Sequence, residues 1–141
     1  MKTIFDSEKK SVISFEKGEE GIAMLGELAE KRGTSFHFSM IGGCSSVDLA
    51  FYDMKKKEYE IKNHAAENIE IVTITGNVAW YDGKPLVHAH GVFSNEQYEC
   101  FGGHIMKLVF SAIGETVIDW LPVKMERELQ AESGLKVLCG E

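Results

Sequence analysis

The sequence predicts an α+β fold, a mainly antiparallel β-sheet with one main helix packed on it. Two observations carry this. One segment, residues 18–33, places its apolar residues at helical spacing, while most of the remaining chain alternates at the period of a strand. The strand-like segments are also joined by short polar or Asp-Gly turns, which favour antiparallel hairpins over crossover connections.

The opening stretch TIFDSEKKSVISFEKG predicts one or two short strands, with Val12, Ile13 and Phe15 as good strand residues. In GEEGIAMLGELAEKRG the period changes, and Ile22, Leu25, Leu28 and Ala29 fall on one helical stripe. Glu19 and Glu20 suit the positive end of the helix dipole, and Gly33 suits its C-terminal stop. TSFHFSMIGG then alternates Phe36, Phe38 and Met40 with His37 and Ser39, ending at a predicted glycine turn beside Cys44. SSVDLAFYD and KEYEIKN read as a hairpin around Lys55, Lys56 and Lys57. The polar stretch KNHAAEN, with His64, reads as a loop. NIEIVTITGNVAWYDG is a long strand ending at the tight-turn pair Asp82-Gly83, followed by strands PLVHAHGVF, CFGGHIMKLVFSAI and ETVIDWL. In PVKMERELQA, Val123, Met125 and Leu129 alternate with Lys124, Glu126, Glu128 and Gln130, which predicts a final strand.

A length of 141 residues fits one domain over 1–141, on a prior of about 100–200 residues per domain. With 44% hydrophobic residues the chain can bury a core without covalent staples. No run of about 18 apolar residues occurs, so no membrane span is expected. The N-terminal MKTIFDSEKK lacks the apolar stretch of a signal peptide, which points to a cytoplasmic protein. Cys44, Cys100 and Cys139 are odd in number and widely spaced, the pattern of reduced thiols. The net charge of -7 argues against direct, sequence-independent DNA binding, which depends on cations neutralising phosphates. The three-lysine run is better explained as a solvated turn. GxSxG, Walker A and GxGxxG motifs are missing.

The histidines carry the chemistry. In VHAHGVF, His88 and His90 are two apart, so on a strand they project from one face, roughly 7 Å apart along the chain. SNEQYE reads as the turn of a hairpin centred near residue 97. Paired residues in an antiparallel hairpin have a constant sum, here about 194, which sets His104 opposite His90. Gly102 and Gly103 would permit a bulge or a close approach that aims His104. Three neutral imidazoles at one point could ligate zinc or another divalent first-row metal, with a fourth position left open. They could equally be separate histidines satisfied by hydrogen bonds. His37, on a strand with an aromatic opposite face, and His64 are placed outside this site. Glu96, Glu99 and Glu115 lie near the hairpin in sequence, where a carboxylate could act as a base or simply face water.

The block GNVAWYDGKPLVHAHGVFSNEQYECFGGHIM resembles the core of the PPC (plants and prokaryotes conserved) domain family. The matching positions are Gly76-Asn77, Asp82-Gly83-Lys84-Pro85, His88, His90 and Gly102-Gly103-His104. Lys17-Gly18-Glu19-Glu20 and Gly42-Gly43-Cys44 upstream, with Arg127 and Ser133-Gly134-Leu135 downstream, resemble further segments of that family. The resemblance implies a largely antiparallel α/β fold with one main helix, a homotrimer, and a metal, zinc first among candidates, on the three histidines. Plant members carry the domain after AT-hooks, where it serves assembly and partner binding. This sequence contains no Arg-Gly-Arg-Pro core and so resembles the stand-alone prokaryotic type. Thr116 stands where the family has a glutamate before its late strand. A looser likeness to the cupin motif, through Gly83, His88, His90, Glu96 and Gly102, ranks lower. Its spacings are each off by a residue or so, Glu96 falls in the turn, and no histidine follows His104.

The expected function is that of a small trimeric metal-binding protein, a regulatory or partner-binding module with a protein or small-molecule ligand at the metal. The alternative is a zinc-dependent enzyme of unknown substrate that uses the open coordination position. A DNA-associated regulator is the third reading.

Overall fold

The computed structural model describes residues 1–140. Strands β1 (Lys2–Asp6) and β2 (Lys10–Phe15) form a hairpin, and helix α1 (Gly21–Arg32) follows. Then come β3 (Phe36–Asp53), β4 (Glu58–Tyr81), β5 (Lys84–Ser94), β6 (Cys100–Trp120), β7 (Glu126–Leu129) and β8 (Lys136–Cys139). The sheet order is β1-β2-β6-β3-β4-β7-β8, and β5 pairs with both β4 and β6. The strands β5, β4, β3 and β6 therefore close into a ring. Every pairing is antiparallel except a single parallel bridge, Trp80 to Glu126, between β4 and β7. The fold is thus the expected one, a mostly antiparallel sheet with one helix.

The helix begins where Glu20 caps it. The Glu20 carboxylate accepts from the backbone N–H of Ile22 (3.0 Å) and Ala23 (2.8 Å), and also from Leu108 N–H on β6 (3.0 Å). One side chain thereby satisfies orphan donors of the helix and ties it to the sheet. Gly33 ends the helix in the left-handed conformation, and its N–H donates to the carbonyl of Ala29. Leu25 and Ala29 are fully buried, so the apolar stripe faces the sheet as predicted. Beneath it Phe15 stacks on Phe110 at 4.7 Å, and Phe36 meets Phe38 and Trp120 edge-on.

Several elements differ from the sequence reading. The glycines at 42 and 43 make no turn. They lie inside one continuous strand, β3, where the register shifts against both neighbours. Gly42 has φ +148°, a conformation that L side chains rarely adopt, and a Cβ there would run into the backbone of Ile113 and Gly114 across the ladder. The pair bends the strands without ending them. KNHAAEN is not a loop either but part of β4, where His64 pairs with Val47 and stacks on the Phe101 ring at 4.4 Å. Polar composition here marks a solvent-facing hairpin strand rather than a break in pairing. ETVIDWL continues β6 across Gly114 instead of forming a new strand. The last predicted strand shrinks to Glu126–Leu129 and pairs with β8, which the sequence reading did not anticipate. The lysine turn and the Asp82-Gly83 turn are as expected, with Lys57, Asp82 and Gly83 at positive φ.

Phe38, fully buried against Phe36 and below Gly76, is a central member of the core. Phe38→Ala is expected to cost about 3–5 kcal/mol. A shift of the denaturant midpoint without a change in slope would show this. A midpoint within error of the wild type would contradict the packing described.

Candidate metal centre

The three histidines arrive from two strands of one hairpin. His88 and His90 lie on β5, separated by the inward-facing Ala89, and His104 lies on β6. In the β5–β6 ladder His90 pairs with His104, the predicted register, and every further pair in that ladder keeps the sum of 194. The hairpin is close-set because glycines line it. A Cβ on Gly102 would collide with the carbonyl oxygen of Gly91 on the facing strand.

The imidazoles converge. His88 Nε2 lies 3.2 Å from His90 Nε2, and His104 Nδ1 lies 3.3 Å from the same His90 nitrogen. All three ligand atoms lie within 4.8 Å of one another. The ring centroids form a near-equilateral triangle with sides of 5.1, 5.2 and 5.2 Å. Zinc–nitrogen bonds of about 2.0–2.1 Å put neighbouring ligands of a tetrahedron about 3.3 Å apart. The donor set therefore fits a tetrahedral metal. Stacking sets the aim of His104: Tyr59 lies over its ring at 5.2 Å and 20°, and Tyr52 packs edge-on against Tyr59. The Tyr52 hydroxyl is in turn anchored on the carbonyl of Ser133 (2.7 Å).

The electrostatics favour the neutral form of His88 and His104. Burial, followed by His88 and His90, depresses the pKa of His104 to about 4. Burial, then the charge of Arg127 and His90, also lowers that of His88. A neutral imidazole has the free lone pair that a metal needs.

The site opens into a groove of about 1110 Å³. Its walls come from β3, β4, β5, β6 and the β7–β8 hairpin, and are mostly apolar. Arg127 lies in this groove. Sequence reasoning placed it only through the family likeness and gave it no role. The signal was nevertheless present: Arg127 occupies the same alternation phase as Met125 and Leu129. The structure buries the arginine (8% exposed) and leaves Leu129 outside (58% exposed).

The carboxylates near the hairpin do not join the histidines. Glu96 and Glu99 are exposed in the 95–99 turn, held by Gln97 and Asn95, and Glu115 pairs with Ser14 on the far part of β6. His37 is exposed and meets Thr75 Oγ1 at 3.1 Å, and His64 stays outside the cluster. Cys44 is fully buried, and burial pushes its thiol up to about 12, so it is an inert core residue. Thr116 is also fully buried.

An antiparallel sheet whose strands β5, β4, β3 and β6 close into a ring and gather three imidazoles on one hairpin defines a protein with a three-histidine cluster. The chain belongs to the Plants and Prokaryotes Conserved (PCC) domain family, written PPC above, whose sequence model matches residues 3–121. A protein from Ralstonia eutropha JMP134 that bears a provisional DNA-binding name is 27% identical, with a TM-score of 0.90 over 97% of this chain and 95% of that one. A metal-containing protein from Archaeoglobus fulgidus is 28% identical, with a TM-score of 0.84 over 99% and 100%. A plant- and prokaryote-conserved protein from Pyrococcus horikoshii is 25% identical, with a TM-score of 0.85 over 100% and 99%. No curated protein matches the sequence.

Gly76 lies on β4 directly behind the histidine strand. A Cβ there would fall 2.5 Å from the carbonyl oxygen of His88 and 2.7 Å from Phe38 Cζ. Gly76→Ala is expected to cost about 1–3 kcal/mol as an overpacked site and to move His88 away from its partners. Thermal unfolding, with metal titration of the folded fraction, would check both effects. Unchanged stability together with unchanged metal affinity would contradict this geometry.

Proposed function

We propose that the protein is a trimeric, metal-binding regulatory module whose centre is one divalent first-row metal held by His88, His90 and His104. The observation that carries this is the spacing of the ligand nitrogens: those of His88 and His104 lie 3.2 and 3.3 Å from His90 Nε2, near the edge of a zinc tetrahedron, and all three lie within 4.8 Å of one another. Zinc suits an all-imidazole set, and three protein ligands would leave one position for water or a small ligand. The metal-containing relative from Archaeoglobus fulgidus supports the same reading. Bound there, the metal would act as a Lewis acid toward whatever takes the fourth position.

A zinc-dependent enzyme is the second reading, favoured by that same open position. Among the described residues, however, no aspartate or glutamate lines the groove, so no carboxylate stands by to serve as a general base. Binding and signalling therefore account for the site more fully than hydrolysis does. A DNA-linked role rests on the provisional names of relatives. The charge of -7 favours reaching DNA through a partner over direct contact. The trimer rests on the family likeness. Exposed Phe51 (74%) and Ile61 offer apolar surface for such contacts. No helix is long and apolar enough to cross a membrane.

Untagged wild type supplied with zinc is expected to hold about one metal per chain, and His104→Ala a small fraction of that, with the sheet intact. Elemental analysis beside circular dichroism checks this. Equal metal in both proteins, or none in the wild type, would reject the site.

Light scattering over a range of concentrations is expected to give three times the chain mass. A monomer mass throughout would reject the trimer.

A further inference from the structure

Arg127 is left unexplained by a metal centre alone. It is only 8% exposed. Its Nη1 donates to the carbonyl of Lys136 at 2.9 Å and its Nη2 to Asn77 Oδ1 at 2.7 Å. Among the described residues no carboxylate pairs with it. Its Nε is buried with no hydrogen-bond partner. A buried cation without a counter-charge and a buried donor without an acceptor are both strongly unfavourable. Two such costs on one side chain point to a group that arrives from outside.

The position of that group follows from the neighbours. Asn77, which holds Nη2, is the ladder partner of His88. Tyr59, which lines the same groove as Arg127, stacks on His104. Arg127 and the three histidines thus line one groove. The same groove has Lys136 at its wall and, among the described residues, no acid, in a chain of net charge -7. Its remaining surface is largely apolar, with Leu86, Val87 and Leu138 among the lining residues.

We propose that this groove binds a small organic acid, its carboxylate held by Arg127 beside the three histidines and its apolar part against Leu86, Val87 and Leu138. The inference builds on the metal-centre reading but has its own carrier in Arg127. With Nη1 and Nη2 each already committed once, the Nε edge of the guanidinium remains, a planar two-pronged donor that matches a carboxylate. A phosphate would present further charged oxygens to a groove whose remaining surface is largely apolar, at a desolvation cost that a single carboxylate avoids.

The test uses butyrate as probe, its neutral isostere butyramide, and inorganic phosphate. Each is titrated into metal-free and zinc-loaded full-length protein and followed by calorimetry and by NMR shifts of groove residues. Butyrate is expected to saturate and to shift those residues, with butyramide about tenfold weaker or more, because a charge-assisted contact is lost. Phosphate is expected to bind more weakly than butyrate. Arg127→Met should weaken butyrate about tenfold, and Arg127→Lys should keep part of the affinity. Butyrate binding no better than butyramide in the wild type would overturn the proposal, and this comparison holds even if Arg127→Met fails to fold. Unchanged affinity in a folded Arg127→Met, or tighter binding of phosphate, would overturn it as well. Butyrate binding without any zinc binding would reject the metal reading and keep this one. Zinc binding with no preference for butyrate would do the reverse.

Discussion

The register of the β5–β6 hairpin is the constraint on which the site depends. Pairing His90 with His104 closes the ring of β5, β4, β3 and β6, and it also sets the three imidazoles on one face. A slip of one residue would send the alternate side chains inward and scatter the imidazoles. The register is held from two sides. Ala89 and Phe93, both buried, need the core face of β5, where Gly91 leaves room for Ile74 and Ile105, while Gly102 lets the two backbones approach more closely than a side chain would permit. One register therefore serves both core and site, since the pairing that buries Phe93 also brings the histidine nitrogens to 3.2 and 3.3 Å.

The second half of the site comes from remote chain. β7 and β8 join the sheet through one parallel bridge at Trp80, yet they carry Arg127 into the groove. Arg127 fastens β8 through the carbonyl of Lys136 and β4 through Asn77. Tyr52 adds a further tie to Ser133 in the β7–β8 turn. Those bonds explain how a four-residue strand stays in place with so little pairing. They also mean that the guanidinium is positioned before any ligand comes, so little ordering entropy remains to be lost on binding.

Much of this was legible in the sequence, for identifiable reasons. The helix was readable because its stripe, its acidic start and Gly33 agree. His104 was placed opposite His90 by counting from a polar turn, since a hairpin with no bulge obeys a fixed sum. Failures came where a local signal had two physical meanings. Gly42-Gly43 reads as a turn, but glycine also lets three paired strands bend together, and only the strands on either side of it decide between the two. KNHAAEN looks like a loop because both of its faces are polar, yet its partner in β3 supplies the ladder. Arg127 was hidden for a different reason. Alternation put it on the inner face, but a charge on that face reads as an interruption until a groove is seen to need it.

The charge layout separates what the protein repels from what it could hold. The net charge of -7 comes mainly from exposed carboxylates, and their fields are screened over a Debye length of about 8 Å at physiological ionic strength. A polyanion lying along the surface would meet many of them at close range. A small anion inside the groove would meet Arg127 and the three histidines, with no acid among the described lining residues, while the Lys136 ammonium lies over the Tyr81 ring. Buried charges are screened far less than exposed ones, so the charge of Arg127 acts more strongly inside the groove than a surface cation would. In one acidic chain the exposed surface is thus dominated by carboxylates while the groove holds a buried cation, and the boundary between the two environments is the depth at which Arg127 sits.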